Sequence, residues 1–189
     1  MSIQPFPSST ELDSLSDEAC REALAPLFEG AGGFLSRLVA NRPFGSDQGL
    51  IDAAYGVARE LPEAEAVELV NAHPRIGSAP ASMSTMSRSE QGYEGEEAEP
   101  GGDEAWVDEE LAGMNEVYED RFGFRYTVFV AGRPRSAIIP LLEMSLRNDR
   151  DAELRRAVMD CVAIGEDRLW TLRGGRPDEE ADELGEGEP

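Results

Sequence analysis

The 189-residue sequence predicts an all-α fold, a single-domain helical bundle of roughly seven to nine helices. Three observations predict it. Apolar residues recur at steps of three and four along nearly the whole chain. Caps and breakers cut these runs into helix-sized lengths. The only stretch of strand-like composition, YTVFVAG at 126–132, is too isolated to build a sheet of its own.

Taken in order, Ser16 followed by Asp17 and Glu18 reads as an N-cap with an acidic first turn. Ala23, Leu24, Leu27 and Phe28 then share one face until Gly30 ends the helix. A second helix carries Phe34, Leu35, Leu38 and Val39 and stops before Pro43. A third starts near Asp47 with Leu50, Ile51, Ala54, Ala58 and Leu61. Pro62 suits the first turn of a fourth, which carries Val67 and Val70 and ends near His73, because Pro74 cannot continue it. Further on, Val107, Leu111, Met114 and Tyr118 form one helical stripe that Gly123 stops. Pro140 interrupts the next apolar run, so that helix is expected to start late or kink. The last helix is the longest, with Leu154, Val158, Cys161, Ile164, Arg168 and Leu172 on its apolar side.

Residues 1–11 read as an N-terminal extension, 12–173 as the helical domain, and 174–189 as an acidic disordered tail. Within the domain, 93–104 is an acidic, glycine-containing loop. Such compositions cannot offset chain entropy by burial, so both acidic stretches are expected to be solvated spacers.

Composition excludes several function classes. The net charge of -22 repels phosphate backbones and anionic lipid, which argues against nucleic-acid and membrane partners. No run of about 18 apolar residues is present and the first residues lack a signal-peptide pattern, so a soluble, cytoplasmic protein is expected. Cys20 and Cys161 stand far apart, as buried thiols in a reducing compartment would. All seventeen cations are arginines; without lysine there is no Schiff base and no pyridoxal phosphate anchor. A metal-dependent hydrolase is disfavoured, since it would need more than one histidine and clustered ligand spacing.

The single histidine, His73, sits in LVNAHPRIGS at 69–78. A buried imidazole donating to a nearby carbonyl would account for it structurally. Its ordinary pKa of about 6.5 also suits proton transfer near neutrality, with Pro74 fixing the chain as it leaves the helix. SRSEQ at 87–91 is equally two-sided. Ser87 and Glu90 form a capping-box pattern, while Glu90 and Gln91 together are a carboxylate and an amide suited to reading a urea-like or imide-like ligand.

The blocks AHPRIG at 72–77, SRSEQ at 87–91, MNEVYEDRFGF at 114–124 and IIPLLEMSLRND at 138–149 resemble the signature blocks of the OHCU decarboxylase family, whose substrate is 2-oxo-4-hydroxy-4-carboxy-5-ureidoimidazoline. The likeness includes LFEGAGGFLSRLVANRPF at 27–44 and covers roughly residues 12–173. It implies an all-helical homodimer acting on a small-molecule substrate, without cofactor or metal, and yielding (S)-allantoin in urate degradation. It also implies His73 and Glu90 as catalytic residues. Pro74, Ser87, Arg88, Ser89, Glu90 and Gln91, with Tyr126, Thr127, Val128, Phe129 and Val130, are the implied substrate-binding residues.

This sequence departs from the family pattern in three places. Arg125 and Tyr126 stand where Pro-Phe is usual, a long acidic loop follows Gln91, and Pro140 lies within a helix. These departures bear on the substrate rather than on the fold. Arg75 and Arg125 are candidate carboxylate clamps, but surface ion pairs are the commoner use of arginine in so acidic a chain. A non-catalytic paralogue that binds a ureide or a partner protein is the alternative; the joint presence of His73, Glu90 and Gln91 favours the enzyme.

Overall fold

Side-chain caps at Ser8, Ser16, Ser46 and Asp149 start four of the helices, and Gly174 ends the last one in the left-handed region. The computed structural model describes residues 5–77, 84, 86–87 and 102–176, with only the backbone for 102–105. Among these residues there are eight α-helices and no strand. They are α1 (Ser9–Ser14), α2 (Asp17–Leu24), α3 (Gly32–Ala40), α4 (Asp47–Arg59), α5 (Glu63–Ala72), α6 (Gly102–Phe122), α7 (Ile138–Ser145) and α8 (Arg150–Arg173). Short 3₁₀ turns, Ala25–Leu27 and Arg135–Ala137, precede the α3 loop and α7.

Helix α1 is not expected from the sequence, and it straddles the boundary drawn at residue 12. Its capping box is complete: the Ser8 hydroxyl accepts from the Glu11 amide, and the Glu11 carboxylate accepts from the Ser8 amide at 2.7 Å. Arg173, at the far end of the chain, donates to the Phe6 and Pro7 carbonyls at 3.0 and 2.8 Å and ties this segment to α8.

The other expected helices are present, with differences that packing explains. Ser16 caps α2 as expected. Pro62 sits at the N-cap of α5, one residue ahead of the first turn. The buried stripe of α5 is Ala66, Leu69 and Val70, with Val67 only half-buried. Met114 is likewise half-buried on α6, and Leu172 on α8 is 43% exposed, because the buried stripe of α8 ends at Leu169. Pro140 is the third residue of α7, where its missing N–H has no helical partner to lose, so the helix begins at Ile138 without a break.

Helix α8 is the spine, packed mainly against α4 and α5, with α3 bridging α2, α4 and α5. Its tightest approach is at Gly165, where an added Cβ would lie 2.4 Å from Cε1 of the buried Phe28. Phe28 is itself held 4.8 Å from the Phe34 ring and cannot retreat. Gly165→Ala would gain about 1 kcal/mol of helix propensity and lose about 1–3 kcal/mol to overpacking. A lower midpoint in urea or thermal unfolding is therefore expected, and a raised midpoint would contradict this contact.

After α6 the chain reverses at Gly123, whose φ of 79° lies in the left-handed region that a side chain resists. The reversal gathers Phe122, Phe124 and Tyr126 around Tyr118, with ring centroids 4.7, 5.8 and 5.1 Å from it. This aromatic knot launches residues 126–130, an irregular segment that crosses in front of α5 and α8.

Candidate functional site

Among the described residues, a cleft of about 70 Å³ is walled on one side by His73, Pro74 and Ile76, where the chain leaves α5. Facing them are Thr127, Val128, Phe129, Val130, Ala131 and Gly132; Ser87 and the α8 residues Ile164, Asp167 and Arg168 complete the lining. Of the expected site residues, His73, Pro74, Ser87 and 127–130 lie together around this cleft.

His73 is the C-cap of α5, and its ring is 3% exposed. Its Nδ1 lies 3.1 Å from the Leu69 carbonyl oxygen, one turn earlier on the same helix. A carbonyl only accepts, so Nδ1 carries a proton and Nε2 is the nitrogen whose protonation can change. The ring is thus anchored through one nitrogen, as the structural account expects, and it also lines the cleft.

The peptide that carries His73 is held from below. The Arg125 guanidinium donates to the Asn71 and His73 carbonyls at 2.8 and 3.1 Å, and the Arg125 amide donates to Asn71 Oδ1 at 2.9 Å. Arg125 thus satisfies the last carbonyls of α5 as a helix-end cation, and it does not line the cleft. Arg75 makes a two-pronged pair with Glu119 on the surface, with both nitrogen–oxygen distances 2.6 Å. Neither arginine stands as a substrate clamp in this cleft. On the other flank, the Asn115 amide donates to the Ile76 carbonyl at 2.9 Å and fixes the segment after Pro74.

Tyr126 is placed differently from Thr127, Val128, Phe129 and Val130. Its ring is buried in the aromatic knot, outside the cleft lining. Burial pushes its phenol up to about 12, so the hydroxyl stays neutral. Residues Arg88, Ser89, Glu90 and Gln91 lie outside the described residues, and so does the acidic loop at 93–101. Met86 and Ser87 are already helical, and the Ser87 amide is satisfied by the Ser84 hydroxyl at 3.2 Å. Ser87 is therefore not an N-cap.

Two charged residues of the cleft lining, Asp167 and Arg168, are not among the expected site residues, and neither is the Glu29 that pairs with Arg168. Arg168 was placed on an apolar stripe, yet it is a fully buried cation whose Nη2 sits 2.8 Å from Glu29 and 2.9 Å from the Ser87 hydroxyl oxygen. Its Nη1 donates to the Pro26 carbonyl at 2.9 Å. Glu29, at a φ of 49°, sends its carboxylate to Arg168, to Ser87 at 2.7 Å and to Ser84 at 3.1 Å. An arginine inside a helix stripe of otherwise apolar residues was the available signal, since such a charge demands a partner. Asp167, beside Arg168, also lines the cleft.

For a metal, no group of three His, Cys, Asp or Glu side chains gathers among the described residues. The arrangement can instead hold a small polar molecule between an imidazole and an irregular backbone, beside a neutralised arginine–glutamate pair.

Comparisons with known proteins point the same way. The family model described as OHCU decarboxylase matches residues 13–170. The chain is 29% identical over 159 residues to the uric acid degradation bifunctional protein PucL of Bacillus subtilis, covering 84% of this chain but 31% of that protein. It thus spans about a third of the length of the Bacillus bifunctional relatives. It is 26% identical to a 2-oxo-4-hydroxy-4-carboxy-5-ureidoimidazoline decarboxylase of Haloferax volcanii, over 84% of this chain and 92% of that one. A crystal structure of OHCU decarboxylase in the presence of (S)-allantoin superposes with a TM-score of 0.63 at 22% identity, covering 85% of this chain and 99% of that chain, which supports the fold. With the family model spanning α2 through most of α8, the chain belongs to the OHCU decarboxylase family.

Proposed function

We propose that this protein decarboxylates 2-oxo-4-hydroxy-4-carboxy-5-ureidoimidazoline to (S)-allantoin without a cofactor, as a carboxy-lyase of urate degradation. The observation that carries the reading is His73: its tautomer is fixed through Nδ1, and it stands across a cleft from the irregular backbone of 127–130.

The chemistry assigns a task to each wall. Carbon dioxide leaves from the ring carbon that bears both carboxylate and hydroxyl, and the electron pair left behind spreads into the adjacent C=N. A proton must then reach one face of the carbon that becomes the stereocentre. His73 handles that proton through Nε2, and the Leu69 carbonyl accepts from Nδ1 in either charge state. Glu90 acts with His73, while Gln91 grips the ureido and ring amides together with Arg88 and Ser89. The peptide groups of 126–130 complete amide recognition, Tyr126 through its backbone. Pro74 holds the His73 wall and Ser87 joins it to the Arg168–Glu29 pair. Excluding water from this wall strengthens every such contact in the transition state.

The test is to generate the unstable substrate in place from urate with two upstream enzymes, add this protein, and follow circular dichroism. Faster signal growth with an excess of the (S) product is expected over the spontaneous racemic decay. No acceleration and no enantiomeric excess would favour the non-catalytic paralogue.

The same reading makes the protein a homodimer acting in the cytoplasm on a small molecule. Trp106 and Val117, at 59% and 57% exposure and eleven residues apart on α6, lie on one side of that helix and are the apolar groups a second copy would cover. Light scattering after gel filtration should give twice the 20.6 kDa chain mass. No helix among the described residues is long and apolar enough to cross a membrane.

A further inference from the structure

The wall at 127–130 has no secondary structure to hold it, yet a recognition surface needs its peptide groups fixed to within a fraction of an ångström. We propose that Asp160 and Arg156, on the back of this wall, are positioning residues that set the backbone of 127–129 for substrate recognition. The proposal rests on the reading that this segment contacts a ureide.

The geometry is that of a missing neighbouring strand. Arg156 Nη1 donates to the Thr127 carbonyl at 3.0 Å, and Asp160 Oδ2 accepts from the Phe129 amide at 3.2 Å. These are the two groups, two residues apart, that a paired strand would satisfy. The side chains are one turn apart on α8 and bond to each other at 2.8 Å, so donor and acceptor move as one body. Arg156 is fixed in turn by the fully buried Glu153, whose Oε1 accepts from it at 2.8 and 2.6 Å and from the Tyr118 hydroxyl at 2.7 Å. The Asn148 amide holds Glu153 Oε2 at 2.7 Å, and the guanidinium lies 5.3 Å from the Tyr126 ring centre.

The clamp residues stand outside the His73 cleft, while Val128 and Phe129 of the segment line both that cleft and the depression that holds the clamp. Arg156 and Asp160 line a separate surface depression with Arg133, Leu141 and Met144, and neither lines the His73 cleft. Beyond the clamp, Arg133 Nη2 and Nε donate to the Phe129 and Val130 carbonyls, at 2.9 Å each. Val128, between the two clamped residues, makes no backbone hydrogen bond among the described residues and lines the cleft. The clamp therefore satisfies the peptide groups on either side of Val128 and leaves the Val128 N–H and C=O for an amide edge of the ligand.

Asp160→Ala removes the acceptor, and Asp160→Leu removes it while filling the space. Asp160→Asn keeps an oxygen for the Phe129 amide. With both acceptor-less variants, KM should rise by about tenfold or more while kcat stays within about threefold, because recognition of the bound substrate is what is lost. Asp160→Asn should recover KM to within about threefold of wild type. Hydrogen exchange at the Phe129 amide should quicken in the first two variants only, with the Val158 and Val162 amides of α8 unchanged. A KM that stays put while Phe129 exchange quickens would overturn the positioning role and leave the activity intact. A wild-type protein without turnover would instead defeat the functional reading. The clamp is then decided by titration with (S)-allantoin: weaker binding in the first two variants with recovery in Asp160→Asn supports it, and equal binding in all overturns it.

Discussion

Replacing His73 with alanine is expected to lower the rate of 2-oxo-4-hydroxy-4-carboxy-5-ureidoimidazoline decarboxylation by about 10²- to 10⁴-fold, the usual worth of a positioned general acid or base. The ring is buried and bonds to the Leu69 carbonyl, a contact typically worth about 1 kcal/mol of stability. His73→Gln separates the two roles. Its side-chain amide can donate to the Leu69 carbonyl, as Nδ1 does, yet it cannot exchange a proton near neutrality. Gln should therefore restore stability and leave the rate as low as in the alanine variant. The enantiomeric excess of (S)-allantoin should fall with the rate in both, because proton delivery to one face is what His73 contributes. Turnover at the wild-type rate in either variant would remove His73 from the mechanism.

How much of this was legible in the sequence depends on whether the signal was local. The caps at Ser16 and Gly123 and the break after His73 are set by neighbours within a few positions, and the structure places them where the pattern did. Helix α1 carries the same S-x-x-E signal at Ser8 and Glu11 that drew notice at Ser87 and Glu90, but six residues give too little periodicity to stand out. The apolar stripes were right at their centres and wrong at their edges, as Leu172 shows, since only the length of the partner helix decides where a stripe stops being buried. The cleft was legible as the blocks around His73 and 126–130, whose family resemblance gathered them. Arg125, Arg156, Asp160 and Arg168 were not, because each acts through partners between 29 and 142 residues away in sequence. Tyr126 shows the limit of carrying a whole segment over: its neighbours line the cleft, while the turn at Gly123 sends its ring into the aromatic knot.

Replacing Arg168 with methionine is expected to have the largest effect on stability of any single change considered, although Arg168 lies on the cleft. The guanidinium is buried between α8, the Pro26 carbonyl, Ser87 and Glu29, and the Glu29 side chain is only 15% exposed. Methionine fills similar space but leaves the Glu29 carboxylate without its cation, which typically costs about 3–5 kcal/mol. At roughly 2–4 °C per kcal/mol for a chain of this size, the melting temperature should fall by about 6–20 °C. Removing both charges should be milder: Arg168→Met with Glu29→Met removes the two members of this pair together and should recover most of the loss. Acid titration supplies an independent check. Burial alone would raise the Glu29 carboxyl, but the Ser87 hydrogen bond and the Arg168 charge outweigh it and hold it below the ordinary 4.5. A lowered carboxyl supplies stability that is complete above its unfolded value and is lost as pH falls through the folded one. Wild type should therefore lose that contribution below about pH 4.5. In Arg168→Met the burial of the carboxyl is no longer outweighed by a cation, so it rises above its unfolded value, and protonating it as pH falls should relieve part of the destabilisation. Urea unfolding at a series of pH values reads both: the gap between wild type and Arg168→Met should narrow as pH falls, and a gap independent of pH would mean that packing, not the charge pair, carries the difference.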